Sequence, residues 1–115
     1  MQYFLTIVED ADAEPYVEGE DNMMDWAKEA DERGIHVQGN RLRRVEDATL
    51  VRRRGGELLV TDGPFAEGKE LIAGYDILDC DTLEEALEFA SRHPMARFGR
   101  IEVRAVWPFG ENESD

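Results

Sequence analysis

The stretch DTLEEALEFASRHP, residues 81–94, is the clearest element of the chain. Thr82 is followed three residues later by Glu85, which is the spacing of a capping box that begins a helix. Apolar residues then recur at helical spacing, and Pro94 disfavours helical geometry at the residue before it. The stretch therefore predicts an amphipathic helix whose apolar face packs onto a sheet.

Patterns of alternating apolar residues surround this helix and recur in the first half of the chain. Gly34 follows a second helical pattern as a left-handed stop, and Gly55-Gly56 joins two β-type segments in the manner of a tight hairpin. The predicted elements are, in order, strand 2–8, helix 22–33, strand 35–42, hairpin strands 49–54 and 57–61, strand 71–80, helix 83–93 and strand 100–107.

This order predicts an α+β fold, a ferredoxin-like βαββαβ two-layer sandwich with an extra central hairpin. Two helices cover one face of such a sheet. Leu59, Ile72 and Val103 belong to strands that carry apolar side chains on both faces, so the second face needs a cover. We expect a second copy of the chain to supply it, which makes the protein a homodimer.

Composition limits the organisation and the partners of the chain. Its 115 residues suit one domain, expected over 1–109, with 110–115 as an acidic, disordered tail. Cys80 is the single cysteine, and the N-terminus turns acidic too early for a signal peptide, so we expect a cytoplasmic protein. No apolar run reaches the length of a membrane span, so we expect no membrane partner.

Charge argues against nucleic acid as a partner, because the formal net charge is −14. Residues 9–21 carry seven acids and no base. Positive charge is concentrated in a basic island. We expect these arginines to pair with the acidic 9–21 segment and to lie on exposed strand edges. The island consists of Arg41, Arg43, Arg44, Arg52, Arg53 and Arg54.

The segment VTDGPFAEGKELIAGYDILD, together with DTLEEALEFASRHP and GRIEVRAVW, resembles the YCII-related superfamily. The four letters Asp62-Gly63-Pro64-Phe65 resemble more narrowly its DGPF-domain branch. The resemblance spans nearly the whole chain and implies a dimeric α+β barrel. It also implies similarity to small lyases, one of them a dehydrochlorinase, that use a His–Asp pair. This chain departs from that pattern, because neither of its two histidines lies in the first strand or the first helix. Asp62 is the one position to which the resemblance assigns a functional role.

Asp62 is the first candidate for a catalytic acid or base, because it follows a strand and precedes Gly63, Pro64 and Phe65. The other interpretation is a turn in which Asp caps the backbone and Pro64 fixes the exit. In the functional interpretation these three neighbours contact the ligand at the rim of a dimer cleft.

His93 is the second catalytic candidate, since imidazole changes charge near neutral pH; the alternative is a cap at the end of the helix. Lys69 and Arg104 are candidates for binding an acidic ligand, or else for structural ion pairs. His36 is interpreted as a sheet residue. Because the sequence has no phosphate loop and no zinc-type His/Cys set, we expect no cofactor or metal.

Two function classes remain open from the sequence. One is a small lyase- or isomerase-type enzyme that acts on an acidic or carbonyl-bearing small molecule with Asp62 as acid/base. The other is a non-catalytic module that binds a small ligand or regulates transcription together with a transcription factor.

Overall fold

The computed structural model describes residues 1–62 and 71–111 and has an α+β architecture. Two short 3-10 turns, Glu18–Glu20 and Val45–Asp47, lie in the connections. The main elements are β1 (Gln2–Glu9), α1 (Met23–Glu32), β2 (His36–Arg41), β3 (Thr49–Arg54), β4 (Glu57–Asp62), β5 (Leu71–Asp79), α2 (Leu83–Ser91), α3 (Pro94–Phe98) and β6 (Arg100–Ala105).

Four strands form an antiparallel sheet in the order β2-β5-β1-β6, which is the order of a ferredoxin-like βαββαβ domain. The predicted fold class is therefore confirmed. The strands β3 and β4 pair with each other in a separate two-stranded sheet, so the predicted extra hairpin is present. Gly55 and Gly56 join them with positive φ, the backbone geometry that tight hairpin turns require.

The core lies between this sheet and the helices. Tyr3, Leu5 and Ile7 alternate along β1 and are buried against Trp26 of α1 and Phe89 of α2. The Trp26 indole N–H donates to the Phe89 carbonyl at 2.8 Å, and the two rings stack. A buried indole needs such an acceptor, so this bond fixes α1 against α2.

A network of charges closes over the outer side of Phe89. Arg33 and Arg92 place their guanidinium groups over its ring, at 5.1 and 4.9 Å from the centroid. Both arginines also contact Glu29, and Arg92 does so through two nitrogen–oxygen contacts of 2.8 Å. The Arg92 hydrogen bonds lower the pKa of Glu29 from 4.5 to about 2. The network therefore ties the two helices together while covering the aromatic core.

None of the helices in residues 1–62 and 71–111 packs on the opposite face of the four-stranded sheet. Phe4 and Tyr75 stack on this face with parallel rings 5.8 Å apart, next to Ile77. Arg104 and Glu102 of β6 lie on the same face, because they pair with Phe4 and Thr6 of β1. We call this surface, made of Phe4, Tyr75, Ile77, Glu102 and Arg104, the open face.

The structure differs from the sequence predictions at the end of α2. Helix α2 stops at Ser91, and a short helix that the sequence did not predict, α3, begins at Pro94. His93 is therefore not the end of a helix but the N-cap of α3, where its ring accepts a hydrogen bond from the Met95 amide. Proline is favoured in the first turn of a helix, so Pro94 begins a helix as well as disfavouring the one before it.

The pairing predicted for the basic island is wrong. The acids of the 9–21 segment contact Arg97 and Arg100, through Glu14, Glu20 and Asp10. Within the island, Arg43 pairs with the nearby Asp47, and Arg53 donates to the carbonyl of Gly56. Opposite charge alone therefore did not identify the partners, because the fold brings Arg97 and Arg100 rather than the island to the acidic segment.

The Glu29 network makes stability depend on pH. The pKa of Glu29 is lower in the folded chain than its ordinary 4.5, so its stabilising effect is fully present above 4.5 and is lost as the pH falls through about 2. We expect Glu29→Gln to lower the melting temperature at neutral pH, with the gap to the parent closing over this range. Glu9→Gln is the control, since no described residue forms an ion pair with Glu9. A gap that stays constant down to pH 2 would contradict the assignment.

Candidate functional site

Both histidines of the chain converge on one carboxylate, Asp76. The Nε2 atom of His36 lies 2.9 Å from Asp76 Oδ1, and the Nε2 atom of His93 lies 3.6 Å from Asp76 Oδ2. Asp76 is 6% exposed and His93 5% exposed, whereas His36 is half-buried. Residues distant in sequence therefore form a buried polar cluster, which we call the His–Asp–His cluster.

A β-bulge brings His36 to this cluster. His36 is opposite Leu78, but Gln38 is opposite the adjacent Ile77, so Val37 is an extra residue in β2. Beyond the bulge, Gly39 is opposite Asp76 and Arg41 is opposite Gly74. Residues directly opposite each other share a face, so His36, Gly39 and Arg41 all lie on the helix-covered side. Regular alternation would have placed His36 on the opposite side from Gly39 and Arg41.

His93 is held in one tautomer by the start of α3. Its Nδ1 accepts a hydrogen bond from the Met95 amide at 3.0 Å, so the proton of the neutral ring is on Nε2, facing Asp76. Trp26 packs edge-on against the ring, with centroids 4.7 Å apart. His93 is thus an N–H donor group directed at the carboxylate, and neither of its ring nitrogens is left to accept a further proton.

His36 has the complementary arrangement. Asp76 accepts the hydrogen bond from its Nε2, which leaves the Nδ1 lone pair unused when the ring is neutral. The Nδ1 atom lies 4.0 Å from the exposed carboxylate of Asp31. A proton taken up at Nδ1 would make an imidazolium with a carboxylate on each side. His36 is therefore the histidine of the cluster that can exchange a proton.

A cavity of about 450 Å³ lies beside the cluster, between the sheet and helices α1 and α3. This volume falls within the usual range for small-molecule sites. Its polar lining includes the cluster itself together with Asn40, Arg41 and Asp21. Its walls are apolar: Ile7, Met23, Ala27, Ala73, Pro94 and Met95. The arrangement is an apolar pocket with a few convergent polar groups.

Gly39 leaves the space in which the cluster forms. A Cβ atom built on Gly39 would lie 2.0 Å from Asp76 Oδ1 and 2.9 Å from His36 Nε2. Its φ is not positive, so the requirement for glycine is one of space rather than of backbone conformation. Any side chain at this position displaces the carboxylate or the imidazole.

The sequence-predicted site residues do not come together in the described structure. Asp62 is exposed at the end of β4, where Thr49 donates a weak hydrogen bond to it at 3.4 Å. Arg104 is on the open face, 3.8 Å from Glu102. Of these three described residues, His93 is the one that lines the cavity. Gly63, Pro64, Phe65 and Lys69 lie outside the described residues, and the roles of all seven residues stay predictions.

Sequence reasoning missed His36 and Asp76. The sequence indicates only a sheet residue at His36, and the structure adds its hydrogen bond to Asp76. One signal was present in the sequence: Asp76 alternates with Leu78 along a strand, so a carboxylate falls on the face of a core residue. Buried carboxylates require partners, and the two histidines were the obvious candidates.

Metal binding gains no support from the described residues. Within residues 1–62 and 71–111, no group of three or more His, Cys, Asp and Glu side chains is arranged to hold a metal ion. Every buried side-chain nitrogen and oxygen of these residues has a hydrogen-bond partner.

In the same ranges the longest helix, α1, has ten residues, and no helix is long and apolar enough to span a bilayer.

Substitution of Gly39 tests the geometry of the cluster. We expect Gly39→Ala to break the His36–Asp76 hydrogen bond and to destabilise the fold by about 1–3 kcal/mol, the usual range for overpacking. Imidazole nitrogen NMR spectra report the bond directly, through the signal of the His36 Nε2 proton. Gly19→Ala is the matched control, because its Cβ would meet nothing within 4 Å. An unchanged His36 signal in Gly39→Ala would contradict the geometry.

Comparison with known proteins agrees with the fold. Residues 1–110 match the model of the YCII-related domain. An uncharacterised protein of Rhizobium meliloti (strain 1021) is 39% identical over 80 residues, which cover 56% of this chain and 64% of the relative. The chain thus covers less than two thirds of that relative's length. The match over residues 1–110 shows that the chain belongs to the YCII-related domain family.

Proposed function

We propose that the cavity beside the His–Asp–His cluster is the active site of a small lyase- or isomerase-type enzyme. The observation that supports this most directly is the 2.9 Å hydrogen bond from His36 Nε2 to the buried Asp76 carboxylate, in a residue that lines the cavity. A base oriented by a carboxylate is a recurrent arrangement for proton transfer. The substrate is an acidic or carbonyl-bearing small molecule.

The proposed chemistry is removal of a proton from a carbon next to a carbonyl group. His36 Nδ1 takes the proton, and Asp76 stabilises the imidazolium that forms. The electrons of the broken C–H bond form a double bond. In a lyase a leaving group then departs with its own electron pair, and in an isomerase the proton returns to another atom of the same molecule.

His93 and Asp62 have different places in this proposal. His93 directs its Nε2 proton at Asp76, so its contribution is to hold the carboxylate rather than to take a proton from the substrate. Asp62 is the competing acid/base from the sequence, together with its neighbours Gly63, Pro64 and Phe65. We base the proposed assignment to the DGPF branch of the family on these same four residues.

The second candidate is a non-catalytic module that binds a small ligand or regulates transcription together with a transcription factor. The observation in its favour is that three of the four ring nitrogens of the two histidines contact Asp76 or the Met95 amide. A thermal-shift screen followed by mass spectrometry separates the two candidates. A ligand returned unchanged supports the module, and a ligand returned as product supports the enzyme.

Two isosteric substitutions distinguish the competing carboxylates. We expect Asp76→Asn and His36→Gln each to reduce turnover of a screened substrate about a hundredfold or more, the usual scale for losing an acid or base. Asp62→Asn should keep turnover within about threefold, because the exposed Asp62 does not line the cavity. Melting temperatures confirm that each variant is folded. Full turnover in Asp76→Asn together with loss in Asp62→Asn would move the site to Asp62.

We propose further that two copies of the chain pair through their open faces. Phe4, Tyr75 and Ile77 form an apolar centre there, and Glu102 and Arg104 are adjacent on its border. A patch that carries both charge signs is complementary to itself about a two-fold axis. A cytoplasmic location for this dimer agrees with the single, buried Cys80.

Light scattering tests the dimer. We expect a mass of twice the 13.1 kDa chain, stronger association at higher salt because the net charge is −14, and dissociation by Arg104→Glu. The double variant Glu102→Arg/Arg104→Glu restores complementarity and should restore the dimer. Lys28→Glu, on the outer surface of α1, is the control. A parent protein that is monomeric at every salt concentration contradicts the proposal.

A further inference from the structure

We propose that the cavity binds a small monocarboxylate and that Arg41 is the residue that binds its carboxylate group. This inference deepens the proposed function, on which it rests, by naming the class of substrate. It starts from the charges around the cavity, because each acidic group that lines it already has partners, whereas its arginine forms no ion pair with any acid of the described residues.

Both acidic side chains that line the cavity have polar partners within the chain. Asp76 lies between the two histidines, as described above. Asp21 accepts hydrogen bonds from the Tyr16 hydroxyl and, at 2.9 Å, from the Met23 amide at the start of α1. Among residues 1–62 and 71–111, by contrast, no acid forms an ion pair with Arg41. The cavity is therefore lined by one arginine that has no ion-pair partner among these residues, in a protein whose net charge is −14.

The bulge at Val37 places this charge on the correct side of the sheet. Arg41 follows Gly39 by two residues on the cavity side of β2, which corresponds to a separation of about 7 Å along a strand. Gly39 itself is against the His36–Asp76 bond. A molecule whose carboxylate contacts Arg41 thus presents a carbon a few bonds away to His36.

The charge balance favours a carboxylate over a phosphate. A guanidinium group binds either anion through two parallel hydrogen bonds. However, one arginine offsets one negative charge, and the carboxylates of Asp21 and Asp76 line the same cavity. A dianionic phosphate would be repelled there more strongly than a monocarboxylate, whose single charge the arginine offsets. The apolar walls, which include the adaptable Met23 and Met95, accept a hydrocarbon body.

Binding of simple probes tests the inference without knowledge of the natural substrate. The probes are phenylacetate and hexanoate, each compared with its primary amide, which keeps the shape and removes the charge. NMR titration of the labelled protein follows the Arg41 side-chain N–H and the Gly39 and Gly74 amides. We expect saturable shifts with the carboxylates and binding at least about tenfold weaker with the amides.

Variants assign the effect to Arg41. Arg41→Gln should weaken carboxylate binding at least about tenfold, the scale of a lost charge-assisted pair. Arg44→Gln removes the same charge from an exposed residue that does not line the cavity, and it should change binding less than twofold or so. Equal binding of acids and amides, equal effects of the two variants, or no saturable binding by either carboxylate would overturn the inference.

The same titration separates this inference from the proposed enzyme activity. His36→Gln should retain carboxylate binding within about threefold, since its side chain is not the anion-binding group. If Arg41→Gln loses binding while His36→Gln retains substrate turnover, the carboxylate site stands and the proposed reaction fails. If turnover depends on His36 but binding is indifferent to Arg41, the reaction stands and the carboxylate site fails.

Discussion

A carboxylate buried between a sheet and its helices sets the conditions that the surrounding structure must meet. Transfer of such a group from water is costly unless hydrogen-bond donors replace the water. Asp76 obtains its donors from β2 and from the residue before α3, so two segments that the sheet does not otherwise join depend on one side chain. The short helix after α2, the bulge in β2 and the absence of a side chain at Gly39 all accommodate that carboxylate.

The helix layer is fixed by a different kind of interaction. Trp26 and Phe89 bury aromatic surface between α1 and α2. The arginines above Phe89 join the two helices through ion pairs with acidic side chains on both. An excess of carboxylates would ordinarily weaken a compact fold through mutual repulsion. Here part of the excess is used locally, because Glu29, Glu85 and Glu88 contact Arg33 or Arg92.

The fold could be predicted from the sequence because its signals are local. Capping by Thr82, the stop at Gly34 and the Gly55-Gly56 turn each depend on a few adjacent residues, and the structure contains all three. The candidate site could be predicted only in part, because it depends on register. Strict alternation assigns His36 to the wrong face relative to Gly39, and the extra residue at Val37 that corrects the assignment has no sequence signature. The motif at Asp62 is contiguous, so it is the candidate that the sequence indicates instead.

The bulge in β2 also means that the cavity is encoded by the way a strand pairs as well as by its residues. Deletion of Val37 would restore regular pairing and leave His36, Gly39 and Arg41 on the helix-covered side, because these residues already lie opposite Leu78, Asp76 and Gly74. If Val37 instead paired regularly with β5, either His36 or the pair Gly39 and Arg41 would turn toward the open face. Two chains of this architecture with the same polar residues can therefore differ in chemistry through the pairing of one residue. A sequence alignment would show no gap at that position, so the strand pairing of relatives is best established before their side chains are compared.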